Sequence, residues 1–355
     1  MKKSHYLIIA VFLGLTVVLS ACVPGPRVVG TPGISLSDEM VYVSHGSFVY
    51  GLDVESGSIQ WHYPEEANNQ VVFYAPPLVT DEFIYVGDLA NNFHKLDKDT
   101  GEVEWTFSGS KGYYIGKAAE VDGIVYAPSN DGNLYAIDSE GNLLWSFKTG
   151  HYIWAQPQVS DDVIFLASMD HNVYALSSQG DLLWTYEMAG AIVGSPLLSE
   201  DGYTLFAASM GKEMVALDIR TGVNLWTFDA GGSLNSVWGN AILVEGLLIF
   251  ADSDGQLFAL DPGNGQPEWQ TTAAGSVVGG LAIMADGFVL ASDQGTLQAF
   301  NLDGSSKWES NLQGEIFQAP VVNDEILVAG TINNDSLVHA FNLTGVQIWS
   351  TTPEN

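Results

Sequence analysis

The chain contains very little cysteine. Cys22 is the only one among 355 residues, so a single copy can form no disulfide, no paired-cysteine redox motif and no cysteine zinc cluster. We therefore expect the folded chain to be stabilised by its apolar core.

Basic residues are also scarce. The chain has 11 lysines and arginines against 42 aspartates and glutamates, a formal net charge of −31. Such a charge repels nucleic acid and anionic lipid headgroups. We expect no nucleic-acid partner, and any membrane attachment has to come from acyl chains rather than from a basic patch.

Long apolar runs are confined to the N-terminus. Lys2 and Lys3 precede an apolar stretch that ends in Leu-Ser-Ala-Cys at 19–22, the pattern of a bacterial lipoprotein signal peptide. We expect residues 1–21 to be removed, Cys22 to be lipidated and 22–27 to form a tether. At roughly 3.5 Å per residue this tether spans about 20 Å, which keeps the domain near the bilayer.

This leader places the protein in the cell envelope. In a cell with two membranes we expect the periplasmic face of the outer membrane, and in a cell with one membrane the outer face of the cytoplasmic membrane. The sequence does not say which kind of cell is the source.

Tryptophan, by contrast, recurs at a mean spacing of about 41 residues, and each of these tryptophans has a glycine four residues earlier. The series is Trp61, Trp105, Trp145, Trp184, Trp226, Trp269, Trp308 and Trp349. Such a period indicates a propeller or a solenoid. Short alternating apolar runs separated by turn residues, without helical periodicity, favour the propeller.

Each repeat of about 41 residues predicts a sheet of four strands. Its tryptophan is expected to fill the wedge-shaped space between neighbouring sheets. We predict an all-β fold over 28–355, an eight-bladed β-propeller with four antiparallel strands per blade. Because the first unit starts near Gly30 and the last ends near Ser350, no blade should combine strands from both termini.

A second signature lies 30 to 33 residues before each tryptophan: two mostly apolar residues, then a small one. The small residues are Gly30, Ala75, Gly116, Ala155, Gly194, Gly239 and Gly279, with Gln318 as the exception. If these segments lead into the innermost strands, they converge on the axis, where a small side chain fits.

The residue before each small position is a candidate for a partner-binding rim around one mouth of the axial channel. This rim consists of Val29, Tyr74, Ile115, Trp154, Val193, Trp238, Val278 and Phe317, with Tyr113 and Tyr114 expected beside it. Two interpretations stay open: a packing layer between blades, or an exposed apolar patch for a partner or ligand.

The repeats resemble those of the pyrroloquinoline-quinone (PQQ) propeller family, whose unit is similar to the Leu-Tyr-Ala-Ile-Asp and Leu-Leu-Trp of residues 134–145. The resemblance spans residues 28–350. Within that family, lipoproteins made of one eight-bladed propeller are non-catalytic scaffolds in the folding of barrel proteins into bacterial outer membranes. The resemblance thus implies a monomeric, lipid-anchored scaffold with a barrel-assembly subunit as partner.

The family also contains quinoprotein dehydrogenases. Some of these hold the quinone against a disulfide between adjacent cysteines, which Cys22 alone cannot form, and others use long inserted loops, which the even spacing leaves no room for. The chain has no GxSxG, P-loop or HExxH motif, and Asp252–Gly255 is read as a hairpin turn. We expect no catalytic residue, cofactor or metal; a degenerate quinoprotein oxidoreductase and a small-ligand or glycan binder remain alternatives.

Overall fold

The computed structural model describes residues 30–68 and 70–353. The predicted signal peptide, Cys22, the tether 22–27 and Val29 lie outside these residues. The described residues form eight sheets of four antiparallel strands, each built from four consecutive strands of the chain. The predicted eight-bladed, all-β propeller is confirmed.

The strands follow the chain in order, four to a blade. Blades 1 to 4 contain β1 (Gly33–Leu36), β2 (Met40–His45), β3 (Phe48–Asp53), β4 (Ile59–Tyr63); β5 (Leu78–Val79), β6 (Phe83–Gly87), β7 (Phe93–Asp97), β8 (Val103–Phe107); β9 (Ala119–Val121), β10 (Ile124–Pro128), β11 (Asn133–Ile137), β12 (Leu143–Lys148); and β13 (Gln158–Ser160), β14 (Val163–Ala167), β15 (Asn172–Ser177), β16 (Leu182–Glu187). Blades 5 to 8 contain β17 (Leu197–Leu198), β18 (Thr204–Ser209), β19 (Glu213–Asp218), β20 (Asn224–Phe228); β21 (Ile242–Val244), β22 (Leu247–Ala251), β23 (Gln256–Leu260), β24 (Pro267–Thr272); β25 (Leu281–Met284), β26 (Gly287–Ala291), β27 (Thr296–Phe300), β28 (Ser306–Asn311); and β29 (Val321–Val322), β30 (Ile326–Gly330), β31 (Val338–Asn342), β32 (Gln347–Thr351). A 3-10 turn at Ala230–Gly232 is the one helical element of the described residues, and none of their helices could span a membrane.

The core is divided among the interfaces between blades. One buried apolar cluster lies between each pair of neighbouring blades, including blades 8 and 1. The middle strands carry continuous apolar runs because both of their faces are covered, as in β10. The outermost strands alternate between exposed and half-buried residues, as in β12, because they form the outer edge of each sheet.

The recurrent tryptophan and glycine meet across these interfaces. Each blade tryptophan donates its indole N–H to a backbone carbonyl of the next blade, at 2.8 to 3.1 Å. The ring lies against the glycine of that blade's last turn, so a Cβ on Gly180 would come within 2.7 Å of the Trp145 ring. These glycines all have φ between 69° and 87°. The turn and the indole contact therefore both require glycine.

Small residues lie directly opposite the tryptophans in the neighbouring strand, as Ala175 does opposite Trp184. Lys95 replaces the small residue in blade 2, opposite Trp105. Its side chain is buried, with Nζ 3.6 Å from the centre of the Phe83 ring and 3.4 Å from the Ser139 carbonyl. The long side chain is accommodated because its apolar stem and cationic head both find partners.

The ring closes without a shared blade. The indole N–H of Trp349 donates to the Val54 carbonyl at 2.9 Å, and its ring lies against Gly57. Blade 1 is built from strands between Gly33 and Tyr63, and blade 8 from strands between Val321 and Thr351. The prediction that no blade combines both termini is confirmed, and the same side-chain contact that joins successive blades also joins the last to the first.

Candidate interaction site

The candidate rim belongs to the segments that lead from the outermost strand of one blade to the first strand of the next. First strands of neighbouring blades contact each other, as β21 and β25 do, so the first strands surround the axis. The small residue lies three positions before the first strand in blades 1 to 4, as Gly116 does before β9. Because the strands are antiparallel, the turns between second and third strands share this face of the ring.

Each segment that leads into blades 2 to 8 is anchored by the residue that precedes its rim residue. These residues are at most 1% exposed: Phe73, Tyr114, Ile153, Ile192, Val237, Val277 and Ile316. Phe73 donates its backbone N–H to the Gly46 carbonyl in the turn of blade 1. Tyr114, Ile153, Ile192 and Val237 donate theirs to the carbonyls of the turn residues Asp88, Ser129, Ser168 and Ser209 in the preceding blades. The residues that precede the rim residues thus form a packing layer between blades. Tyr114, expected beside the rim, is instead buried between blades 2 and 3.

Those turn residues form a buried polar ring. Asp88, Ser129, Ser168, Ser209, Asp252, Ser292 and Thr331 occupy equivalent positions and are fully buried. Their hydrogen bonds close the turns: Asp252 accepts from the backbone N–H groups of Asp254 and Gln256, both at 3.0 Å, and Gly255 has a φ of 79°. The interpretation of 252–255 as a hairpin turn is confirmed.

One turn carries a buried pair of an aspartate and a histidine. The Asp88 carboxylate lies 3.0 Å from Nε2 of His94, whose Nδ1 lies 3.1 Å from the Thr106 hydroxyl. Burial raises the pKa of Asp88, but hydrogen bonds from His94 and Asn92 outweigh it and leave that pKa below its usual value. His94 and His339 are buried with hydrogen-bond partners. Among the described residues no group of three or more His, Cys, Asp or Glu could hold a metal ion.

The rim residues themselves differ in exposure. Tyr74, Ile115, Trp154, Val193 and Val278 are half-buried. Trp238 and Phe317 are 37% and 40% exposed. Exposed aromatic side chains therefore lie on two arcs of this face: Trp238 and Phe317 on the lead-in segments of blades 6 and 8, and Tyr113 and Tyr152, 37% and 40% exposed, on those of blades 3 and 4.

The two rim tryptophans also differ in hydrogen bonding. Trp154 donates its indole N–H to the side-chain oxygen of Asn130 at 2.9 Å. Trp238 has no acceptor for its indole N–H among the described residues, although every other tryptophan of the chain has one. Met210 occupies, in the turn of blade 5, the position that Asn130 occupies in blade 3. The structure thus brings the described rim residues, Tyr74 to Phe317, to one face, and Trp238 is the one tryptophan among them whose indole N–H has no acceptor.

Comparison with known protein families identifies the family of this chain. A sequence profile of the family described as "Outer membrane protein assembly factor BamB" matches residues 25–151, 130–278 and 269–355. The chain belongs to the BamB family.

Individual members of the BamB family align with parts of the chain. Proteins named "Outer membrane protein assembly factor BamB" from Nitrosomonas eutropha and Xanthomonas campestris are 31% identical over 140 residues and 32% identical over 146 residues. These alignments cover 39% and 40% of this chain and 34% of each relative. The chain therefore matches about a third of the length of these BamB proteins.

Solved structures agree on the propeller. A crystal structure of BamB from Moraxella catarrhalis superposes with a TM-score of 0.75 at 18% identity, covering 87% of this chain and 96% of that one. The computationally designed protein Ika8 superposes with a TM-score of 0.77 at 17% identity, covering 88% and 96%. A designed protein thus fits this BamB-family chain as closely as a natural one, so these superpositions establish the fold alone.

This BamB-family chain has a second apolar surface that was not predicted from the sequence, here called the outer belt. It consists of exposed residues in or beside the outermost strands of blades 3 to 5: Leu143, Leu144, Leu182, Leu183, Val223 and Leu225. The residue directly before the blade tryptophan is leucine in these blades and isoleucine, Ile348, in blade 8, whereas blades 1, 2, 6 and 7 have Gln60, Glu104, Glu268 and Lys307. This contrast is visible in the sequence and could have located the belt.

Proposed function

We propose that this BamB-family chain is a non-enzymatic interaction scaffold of the bacterial envelope, anchored by lipid on Cys22. Through the rim it binds a protein partner that takes part in outer-membrane barrel assembly. The family membership and the printed names of the aligned relatives support the setting. The observation that supports this binding site is that Trp238 is exposed and has no acceptor for its indole N–H among the described residues.

The side chain of Trp238 has the properties of a residue that contributes strongly to protein–protein binding. A large aromatic ring with a polar N–H packs well when both its apolar surface and its donor are used, and such residues dominate binding energy at protein interfaces. Phe317 adds a second exposed ring on the same arc. A partner that covers both rings and accepts the indole hydrogen bond would complete this surface.

Replacing Trp238 and Phe317 together by alanine tests the site. We expect the affinity for the purified central barrel-assembly subunit of the source organism to fall by roughly several hundredfold, because interface aromatics contribute about 2 kcal/mol or more each. The melting temperature should change little, since both side chains are exposed. Binding is measured by biolayer interferometry and stability by scanning calorimetry.

The matched control is Tyr203→Ala, which removes an aromatic side chain that is 56% exposed on the opposite face of the ring. It should leave affinity unchanged. Equal loss in the control, or a large loss of melting temperature in the double variant, would contradict the assignment of the rim. A thermal shift with PQQ and Ca²⁺, together with dye reduction, would favour the quinoprotein alternative instead.

Cys22→Ser tests the anchor. Acyl chains stabilise membrane attachment by about 0.8 kcal/mol per buried methylene, and two or three chains hold firmly. We expect the variant to move from the membrane fraction to the soluble fraction on ultracentrifugation, and a covalent acyl mass to disappear from the mature N-terminus. A variant that stays in the membrane fraction after a salt wash would argue against lipidation as the anchor.

A further inference from the structure

The residues that follow the small positions form a collar around the axis. They are Thr31, Pro76, Lys117, Gln156, Ser195, Asn240, Gly280 and Ala319. Backbones of adjacent lead-in segments touch here: a Cβ on Gly116 would lie 2.7 Å from the Trp154 carbonyl oxygen, and Asn240 forms a parallel bridge with Gly280. The collar therefore lies directly beside the rim.

Polar collar side chains in blades 4 to 6 bond to the segment of the preceding blade. Gln156 donates its side-chain amide to the Ala118 carbonyl at 3.1 Å. Ser195 accepts from the backbone N–H of Gln156 at 2.9 Å, and Asn240 accepts from that of Ser195 at 2.7 Å. In these blades the collar is thus satisfied internally.

Lys117 is the charged member of the collar and departs from this pattern. Its ammonium forms no hydrogen bond or ion pair with a described residue; the ion pairs of the described residues are His94–Asp88 and Lys307–Asp286. The side chain of Lys117 is half-buried. Solvent reaches its Nζ, whereas the Tyr114 hydroxyl, which also lacks a partner, is fully buried. Burial lowers the pKa of Lys117.

A half-buried ammonium without a protein partner is unfavourable, because it has lost part of its hydration and gained no countercharge. A carboxylate would restore that interaction through charge-assisted hydrogen bonds. Free anions are repelled by the long-range field of a chain with a net charge of −31. A carboxylate carried by an apolar segment that packs on the rim overcomes this repulsion through buried apolar area.

We propose that Lys117 is an anionic subsite of the rim, which receives the side-chain carboxylate of a glutamate or aspartate flanked by apolar residues in the partner protein. This inference rests on the proposed function and adds the charge that the partner segment must carry.

Two capped peptides, acetyl-Phe-Glu-Leu-amide and acetyl-Phe-Gln-Leu-amide, test the proposal on the mature chain in detergent. We expect the glutamate peptide to bind roughly tenfold tighter, because its carboxylate forms a charge-assisted hydrogen bond with the ammonium and the neutral amide of the glutamine peptide does not. Bound glutamate peptide should also slow the acetylation of Lys117 by a reactive ester, read by mass spectrometry. Its advantage should shrink as the pH rises through the pKa of Lys117, since the neutral amine no longer attracts the carboxylate.

The variants are Lys117→Gln and Lys117→Met, with Lys111→Gln as the control in an exposed part of the same segment. Both Lys117 variants should abolish the preference for glutamate, and Lys117→Met should keep or raise the melting temperature because a desolvated charge is removed. Lys111→Gln should keep the preference.

Equal binding of the two peptides overturns the proposal. So does protection of Lys117 by inorganic phosphate or acetate as effective as that by the glutamate peptide, since that result describes a site for free anions. If Trp238 and Phe317 are needed for the partner and Lys117 is not, the subsite fails while the proposed function stands. If neither matters, both fail.

Discussion

At the scale of single residues, the glycine before each blade tryptophan has two functions. It adopts a positive φ in the last turn of its blade. Because it has no side chain, the indole of the preceding blade can pack against its Cα. Gly180 shows both, with a φ of 85° and the Trp145 ring against it. Gly246 has a φ of 76°, but a Cβ at this position would have no atom within 4 Å. Substitutions at Gly180 and Gly246 therefore distinguish the effect of backbone strain from that of the indole contact.

Gly180→Ala and Gly246→Ala should therefore differ. For Gly246→Ala we expect a loss of about 1 kcal/mol in the free energy of unfolding, because alanine disfavours a positive φ. Gly180→Ala should lose about 2 kcal/mol more, because the new methyl displaces the Trp145 ring and strains the interface. Guanidinium unfolding followed by tryptophan fluorescence measures both, and equal losses would show that the indole contact contributes nothing.

At the scale of the elements, the turn between β10 and β11 shows how polar groups hold a hairpin in shape. Asp131 accepts hydrogen bonds from the Tyr135 hydroxyl at 2.7 Å, from the Lys111 backbone at 2.9 Å and from the Asn133 backbone at 2.9 Å. Burial opposes the charge, but these bonds outweigh it and lower the pKa of Asp131 to about 2. The same carboxylate also raises the pKa of Tyr135 to about 12, burial being the larger cause.

This turn predicts a stability that depends on pH. Because the pKa of Asp131 is lower in the folded chain than the usual 3.8, its contribution is fully present above about pH 4 and is lost as the pH falls through about 2. Asp131→Asn should lower the free energy of unfolding by about 1 to 2 kcal/mol at pH 7, with the difference shrinking toward pH 2. Denaturant midpoints across this range measure it.

Asp161→Asn is the control, since Asp161 is an exposed turn residue with a φ of 51°, a conformation that asparagine tolerates. Its unfolding midpoint should match that of the unsubstituted chain at every pH. A pH-independent loss in Asp131→Asn would mean that packing, rather than charge, holds the turn.

At the scale of the whole molecule, the junction between blades 8 and 1 is the only blade interface of the described propeller without a connecting segment. Trp349, Val54 and Gly57 join it by the same contact that joins the other blades. A buried cluster that includes Ile34 and Val328 fills the rest of the interface. Its stability therefore comes entirely from noncovalent packing.

Trp349→Ala should open this junction. We expect a loss of about 3 to 5 kcal/mol from the removed ring and faster hydrogen exchange in β1, β2, β30 and β31, because the two blades can separate without stretching the chain. Trp184→Ala removes the same contact between blades 4 and 5, which the segment 188–196 still connects. Its exchange should accelerate less, and equal acceleration in the two variants would show that the covalent link is unimportant.

The sequence by itself determined the number of blades, the strand order within each blade and the closure without a shared blade. It could do so because every interface repeats one local requirement, a glycine that turns the chain four residues before a tryptophan that fills the wedge. Lys95 shows the limit of that reading. It lies opposite Trp105, where the other blades have a small residue, and Phe83 and the Ser139 carbonyl, which accommodate it, lie elsewhere in the chain.

Only the tertiary structure decided which rim residues are available to a partner. Trp154 and Trp238 occupy the same position in the repeat, and nothing in their immediate flanks says that one indole N–H is bonded and the other is not. The difference arises in the turn of the preceding blade, where Asn130 offers an oxygen and Met210 does not. Hydrogen-bond satisfaction depends on residues brought together by packing, so it becomes visible only once the blades are side by side.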